Sequence, residues 1–401
     1  MAATNGSARP SYTEADHSDF AHTGPGTLAG RFMRRFWQPV YLAAKLPAGH
    51  AKPIRIMSED FTLYRGEDGA PHLVAPRCAH RGTQLSTGWV EGDCLRCFYH
   101  GWKYDHTGQC VEMPAEDPSF PPKAQIKSYP TQEYLGLIFA YLGEGATRET
   151  TSVAAPPFQR LPEFEAEGVL QQRHYFRYCN YFNNVENQCD EVHVAFAHRD
   201  SGFTDAGLNP WDIPQVAAEE TDYGMRLSAT RSDGVARITH FMMPAGIYIK
   251  GSPDDEESGW VDQIAWRVPI DDVHHQSFNL VLTHVTGEAA ERFLARQAER
   301  QAQMAGLPPP DELVAKVLRG ELRIHDIKDY PQIVYVQDSV AQAGQGIIYD
   351  RTHERLGRSD VQLLLLRRIW RRELQALAEG RPLKQWSRTE RILATSGVAG
   401  A

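Results

Sequence analysis

From about residue 45 to residue 142 the apolar positions come in short runs, each cut off by turn-forming residues. Phe61-Thr-Leu-Tyr64 stops at Gly66-Glu-Asp-Gly69, His72-Leu-Val-Ala75 follows, and Asp105-His-Thr-Gly108 precedes Gly136-Leu-Ile-Phe-Ala-Tyr-Leu142. Brief β-prone runs between Gly and Asp turns predict strands, and their density predicts a compact antiparallel β domain over 45–150. Residues 143–157 are polar and end in Pro156-Pro157. They offer nothing to pack, so a change of domain is expected there. Beyond it the period changes. Residues 173–198 read as a strand leading into a helix, and 215–285 alternate, as in Ile238-Thr-His-Phe-Met-Met243 and Phe278-Asn-Leu-Val-Leu282. Helical spacing governs 289–305 and 359–378, the latter with Leu363, Leu366, Ile369, Trp370, Leu374 and Leu377 on one face. The second domain, 1–44 with 151–401, is therefore expected to be α+β, an antiparallel sheet flanked by helices.

Composition narrows the class. A chain of 401 residues, 42% hydrophobic and 23% charged, has the make-up of a globular protein of two or three domains. No apolar run approaches the roughly 20 residues of a membrane span. The first twenty residues are polar and acidic, so a cytoplasmic location is expected. The net charge of −9 argues against nucleic acid as a partner. Arg367, Arg368, Arg371 and Arg372 flank the apolar helix stripe and read as a solvated face. Gly24-Pro-Gly-Thr-Leu-Ala-Gly30 follows no predicted strand and reads as a turn opening a helix, not a dinucleotide loop. No other segment offers a nicotinamide or flavin site.

Six cysteines, at 78, 94, 97, 110, 179 and 189, crowd into two regions, which suits metal ligation better than a disulfide framework. Cys78-x-His80 and Cys97-x-x-His100 each place one thiolate and one imidazole on a loop. Such loops hold either a structural zinc or a pair of irons. Zinc fingers usually keep Cys pairs and His pairs together, whereas here each loop mixes the two. Cys-x-His-Arg-Gly at 78–82 and Cys-x-x-His-Gly-Trp at 97–102 resemble the boxes of the Rieske family. That resemblance implies a [2Fe–2S] cluster with Cys78 and Cys97 on one iron and His80 and His100 on the other. Cys94 and Cys110 are left as small buried residues.

The second constellation is Glu186-Asn-Gln-Cys-Asp-Glu-Val-His-Val-Ala-Phe-Ala-His198. Asp190 and His193 lie nearly one helical turn apart, but the five-residue step to His198 overshoots, so the helix must bend or end between the two histidines. Following the cluster loops, Asp-x-x-His-x-x-x-x-His resembles the iron site of Rieske non-heme oxygenases of the phthalate type. The resemblance implies His193 and His198 as ligands of one Fe(II), with a carboxylate supplied by Asp338 in a Gln-Asp pair opening a helix. Asp326 and Asp190 are the competing carboxylates; Asp350 and Asp360 read as local hydrogen-bonding residues. It further implies a helix-grip catalytic domain and dioxygen as co-substrate. Electrons would come from NAD(P)H only through a separate reductase, flavin and/or ferredoxin. Asp190 would bridge His193 to His100 of a neighbouring subunit, accepting the His193 ring N–H, in a homotrimer whose trimers can stack. The substrate class implied is a small aromatic acid or aryl ether, O-demethylated or hydroxylated, with ring dihydroxylation and a non-catalytic Rieske electron carrier as alternatives. Arg237, at the start of a strand-like run, is the arginine singled out to clamp a substrate carboxylate.

Overall fold

The computed structural model describes residues 17–143, 155–199, 201, 212–251 and 261–387; most of the expected linker at 143–157 lies outside the described residues. The turn-punctuated region forms three small antiparallel sheets. One is built from Ala51–Ile56, Glu59–Arg65, Pro71–Val74 and Ser128–Tyr129, and a second from Trp89–Glu91, Cys94–Arg96, Lys103–Tyr104 and Cys110–Glu112. The third joins Thr131–Tyr134 and Leu137–Tyr141 to Trp37–Leu42. Residues just before 45 thus hydrogen-bond to the β domain. A separate core of Tyr64, Val74, Leu85, Leu95, Trp102 and Tyr104 sits beneath the second sheet's loops.

The second part carries one seven-stranded antiparallel sheet. Its strands are β1 (Val169–Arg177), β2 (Gln215–Glu220), β3 (Gly224–Thr230), β4 (Ala236–Met242), β5 (Gly246–Gly251), β6 (Val261–Pro269) and β7 (His275–Thr283), in the order β1-β7-β6-β5-β4-β3-β2. After β1 the chain leaves the sheet and returns at the far edge. That excursion holds helices α1 (Tyr181–Gln188) and α2 (His193–Ala197), so the histidines are carried over the sheet. Two later helices, α3 (Ile333–Gly344) and α4 (Val361–Ala378), complete the helical layer.

Side chains alternate across a strand, so register fixes what each face presents. Trp266 pairs with Phe278 and Ile264 with Leu280, and Trp266 meets Phe139 of the β domain at 5.7 Å. That face is apolar and glues the two parts together. The other face places Arg267 beside Ser277, and His275 beside Arg177, with Asn279 next in line. It is polar, yet it is buried too: His275 and Ser277 are fully enclosed under α1 and α3.

Helix α4 packs its stripe as the periodicity predicts, with Leu366, Ile369, Trp370 and Leu374 buried. Trp370 lies edge-on to Phe32 at 5.1 Å and Phe182 at 5.3 Å. The basic run differs from expectation at one position. Arg368, Arg371 and Arg372 are exposed, but Arg367 is buried and donates from Nε to Glu186 at 2.6 Å while its other nitrogens reach Glu354. The carboxylate of Glu186, projecting from α1, turns that position inward. The glycine-rich stretch at 24–30 opens a helix over Leu28–Met33, capped by the Thr27 side chain.

Candidate metal centres

The two mixed loops have one construction. Cys78 N–H donates to Thr83 O and Gly82 N–H to Cys78 O; Cys97 N–H donates to Trp102 O and Gly101 N–H to Cys97 O. Each loop therefore closes on itself within six residues. The residue four places after each cysteine has φ of 73° or 75°, the left-handed region, which is why glycine stands at 82 and 101. Cys78 and Cys97 are buried, while His80 and His100 are exposed with ring centroids 4.5 Å apart. His80 lies flat on Trp102, at 4.7 Å and 7°.

Sulfur is thus sorted to the inside and imidazole to the outside. Among the described residues, no three of these four side chains offer ligand atoms within 4.8 Å of one another. Paired sulfurs on the inside and paired imidazoles on the outside suit two irons, one for each pair. Tyr104 adds a contact that the spacing did not reveal. Its Oη accepts from Ala79 N–H and lies 3.1 Å from Cys78 Sγ, where its O–H can donate to a Cys78 thiolate. Burial pushes the Cys78 thiol up, the Tyr104 contact opposes it, and neighbouring Cys97 adds to the rise. Two buried sulfurs side by side are the donors a cationic cluster would hold.

The second centre is assembled from two helices. α2 ends at Ala197 and His198 is its C-cap, so the five-residue step is absorbed by the helix end. Asp338 comes from the middle of α3, not from its opening as expected. Its Oδ1 lies 3.2 Å from His198 Nε2 and 3.6 Å from His193 Nε2, and the three ligand atoms lie within 4.8 Å of one another.

The imidazoles are oriented from behind. His193 Nδ1 lies 2.5 Å from Asp190 O and His198 Nδ1 lies 2.9 Å from Gln337 Oε1. Carbonyl oxygens only accept, so each Nδ1 carries a proton and each ring turns its Nε2 toward Asp338. Asp338 Oδ1 is buried and takes no hydrogen bond. Burial raises the Asp338 carboxyl, but the two imidazoles outweigh it and hold the group well below the usual carboxylate range. Burial likewise lowers His193, and Asp338 more than reverses that. Two imidazoles and a carboxylate converging on one point are the donor set for a cation, and two histidines with one carboxylate on one side is the facial arrangement of non-heme Fe(II).

Asp190 departs from its expected contact. Its backbone carbonyl, not its carboxylate, accepts the His193 ring N–H; the nearest carboxylate oxygen is 4.0 Å away. The side chain is turned back to accept the N–H groups of Val192 and His193, capping α2. Arg237 is half-exposed and paired with buried Glu191 at 3.4 Å, so it is not a free cation facing the metal centre. Asp326 is engaged by Arg323 at 2.7 Å, away from the histidines. Asp350 and Asp360 accept from Thr352 N–H and Gly357 N–H, local contacts as expected. Cys110 is buried and Cys94 partly so. A further cluster, Asp68, His72 and Asp93, lies in the β domain, where Asp93 is shared between His72 at 2.5 Å and His106 at 2.9 Å.

A β domain with two Cys/His loops joined to a helix-covered sheet with a two-histidine, one-carboxylate centre is the architecture of a Rieske non-heme oxygenase. Residues 36–130 match the Rieske [2Fe-2S] domain family. The chain is 31% identical over 379 residues to the 5,5'-dehydrodivanillate O-demethylase oxygenase subunit of a Sphingobium species, covering 91% of this chain and 81% of that one. It is 27% identical over 383 residues to the phthalate 4,5-dioxygenase oxygenase subunit of Pseudomonas putida, covering 88% and 83%. The terminal oxygenase of carbazole 1,9a-dioxygenase from Novosphingobium sp. KA1 superposes with a TM-score of 0.64 at 21% identity, covering 92% of this chain and 98% of that one. This chain belongs to the family of Rieske oxygenase α subunits. It is an oxidoreductase, the oxygenase component of a multicomponent system. No helix among the described residues is long and apolar enough to cross a membrane.

Proposed function

We propose that this chain uses dioxygen and externally supplied electrons to O-demethylate or hydroxylate an aromatic acid or aryl ether. The convergence of His193, His198 and Asp338, each imidazole with its Nδ1 already engaged, is the observation that carries the reading. When bound, a cluster at Cys78, His80, Cys97 and His100 supplies one-electron storage, and Fe(II) at the triad supplies dioxygen activation. The chain's own part is to fix these groups. Asp190 O and Gln337 Oε1 lock the two tautomers, Tyr104 Oη steadies Cys78, and the polar face of the sheet under α1 and α3 encloses the substrate.

Electrons come from a separate partner. A carbazole dioxygenase oxygenase of the same fold has been solved in complex with a ferredoxin, which supports a ferredoxin-type donor here. With its proton-accepting duty taken over by the backbone, the Asp190 carboxylate keeps an oxygen for a second partner, and His100 is exposed. These two meet across subunits in a homotrimer. Demethylation balances as ArOCH3 + O2 + 2 e− + 2 H+ giving ArOH, formaldehyde and water; the electrons are the donor's and the acidic protons are solvent's. The demethylase relative favours this course, and the phthalate relative favours ring dihydroxylation as the second reading.

The test is a panel of methoxylated and dicarboxylated aromatics with a reductase, scored for formaldehyde against diol. Formaldehyde in proportion to oxygen consumed is expected. Diol alone selects the second reading, and oxygen uptake that no aromatic stimulates refutes both. In the same assay Asp190→Asn keeps both metals and turns over slowly; full activity in that variant removes the bridging role.

A further inference from the structure

The polar face of the sheet holds two buried cations that no carboxylate among the described residues pairs with. Arg177, at the end of β1, and Arg267, on β6, are each more than nine-tenths buried. Arg177 donates to Ser339 Oγ at 2.8 Å and to Gln342 Oε1 at 3.3 Å, and lies over the Tyr335 ring at 4.4 Å, while its Nε has no partner. Arg267 donates to Asn279 Oδ1 at 3.3 Å, and the Gln188 amide, turned oxygen-first, accepts from its Nε at 3.0 Å. Every one of these partners is neutral. No carboxylate of the described residues lies within ion-pair distance of either guanidinium.

Such an arrangement is costly, because buried arginine is ordinarily paired. Burial and then the charge of Arg177 push Arg267 down to about 9, an unusual value for a group that is effectively always protonated. The carboxylate whose charge acts on Arg267 is Asp338, and Asp338 belongs to the metal triad. A divalent cation there makes the chamber more positive still. Ser277 Oγ, on the same face and opposite Arg267 in register, is a further buried polar atom without a partner. Arg177 also lines a small cavity of about 30 Å³ with Tyr335, Ser339 and Asp311; Asp311 accepts from Tyr335 Oη and makes no ion pair with Arg177.

We propose that Arg177 and Arg267 form the recognition site for a carboxylate on the aromatic substrate. This rests on the oxygenase reading above and narrows it to anionic aromatics. A planar guanidinium matches a carboxylate through paired N–H donors, and the bound anion supplies the charge the chamber lacks. Uncharged aryl ethers are excluded by the same logic, since they leave both cations buried and unpaired.

The test uses the iron-loaded full chain and the three methoxybenzoates, with the matching methoxybenzamides and methoxybenzenesulfonates, in equilibrium dialysis and thermal unfolding. At least one benzoate is expected to bind about 10- to 100-fold more tightly than its amide and to raise the melting temperature. Arg267→Gln and Arg177→Gln are expected to lose that preference, raising KM for the acid more than they lower kcat. They should also melt, without ligand, at or above the wild-type temperature, because an unpaired charge has been removed. A purely structural arginine would lower the ligand-free melting temperature and leave the acid-to-amide ratio intact. Should a glutamine variant fail to fold, Arg267→Lys keeps the charge without the fork and is expected to bind the benzoate about 10-fold more weakly. Sulfonate binding above carboxylate would overturn the carboxylate assignment. Equal binding of acid and amide by wild type overturns the inference while formaldehyde release leaves the oxygenase reading standing. Loss of all aromatic-stimulated oxygen uptake fails the oxygenase reading itself.

Discussion

Acid weakens this fold through His275, and the size of the effect follows from its surroundings. The ring is fully buried on β7, with Nδ1 2.8 Å from Cys179 O and Nε2 2.8 Å from Asn184 Nδ2. The carbonyl only accepts and the amide nitrogen only donates, so one neutral tautomer satisfies both contacts and a protonated ring cannot. Burial is the main cause, and Arg177 and Arg267 add to it, bringing the pKa from 6.5 to about 3. An unfolded chain takes up this proton near pH 6.5, whereas the folded chain refuses it until about pH 3. The native contribution is therefore intact above pH 6.5 and lost as pH falls from there toward 3. The slope is about 1.4 kcal/mol per pH unit, so moving from pH 7.5 to 5 costs about 2 kcal/mol.

His275→Gln removes that term. Urea unfolding followed by circular dichroism at both pH values, on wild type and variant, isolates it, because carboxylates common to the two proteins cancel in the double difference. At pH 7.5 the variant should be less stable by about 1–3 kcal/mol, the worth of the lost buried contacts. At pH 5 that deficit should shrink by about 2 kcal/mol, or reverse. A deficit unchanged between the two pH values would refute the argument, since it would mean His275 titrates alike in folded and unfolded chains.

Two further expectations concern the helices above the sheet. Gln337→Leu removes the acceptor at His198 Nδ1 and should weaken mononuclear iron binding about 10- to 100-fold, read by iron titration, while the cluster's visible spectrum is unchanged. Glu186→Gln leaves Arg351 and Arg367 without the buried carboxylate that holds them at 2.7 and 2.6 Å, and should cost about 3–5 kcal/mol in chemical unfolding; a loss below about 1 kcal/mol would mean the pair is solvated.

What the sequence disclosed and what it hid divide along chain distance. The cluster loops were legible because each is a closed unit: cysteine, histidine and left-handed glycine lie within five residues, and the hydrogen bonds that shape the loop stay inside it. His193 and His198 were legible as a pair for the same reason, down to the helix end between them. Asp338 was not, being 140 residues further on; only family resemblance pointed to it, and its mid-helix setting was missed. Tyr104 and Gln337 act through one side-chain atom each, on partners their own neighbourhood gives no hint of. Asp190 acts on His193 through a backbone carbonyl, a group every residue carries, so no sequence pattern could have distinguished it from the carboxylate.

The arginines show the same limit from the other side. Arg237 attracted attention because it opens an alternating run, but alternation says only that a side chain is on a face, not what covers that face. β4, which carries it, places Thr239 and Arg237 against the carboxylate of Glu191, so the charge is neutralised where it stands. Arg177 and Arg267 sit in equally ordinary strands ninety residues apart. They become special because β7 inserts between β1 and β6, setting Arg177 beside His275 and Arg267 beside Ser277 on one side of the sheet. The helices carrying the metal ligands then close over that side. Register converts two unremarkable residues into a pair of buried charges that no described carboxylate pairs with, and it is topology, not local pattern, on which their proposed ligand rests.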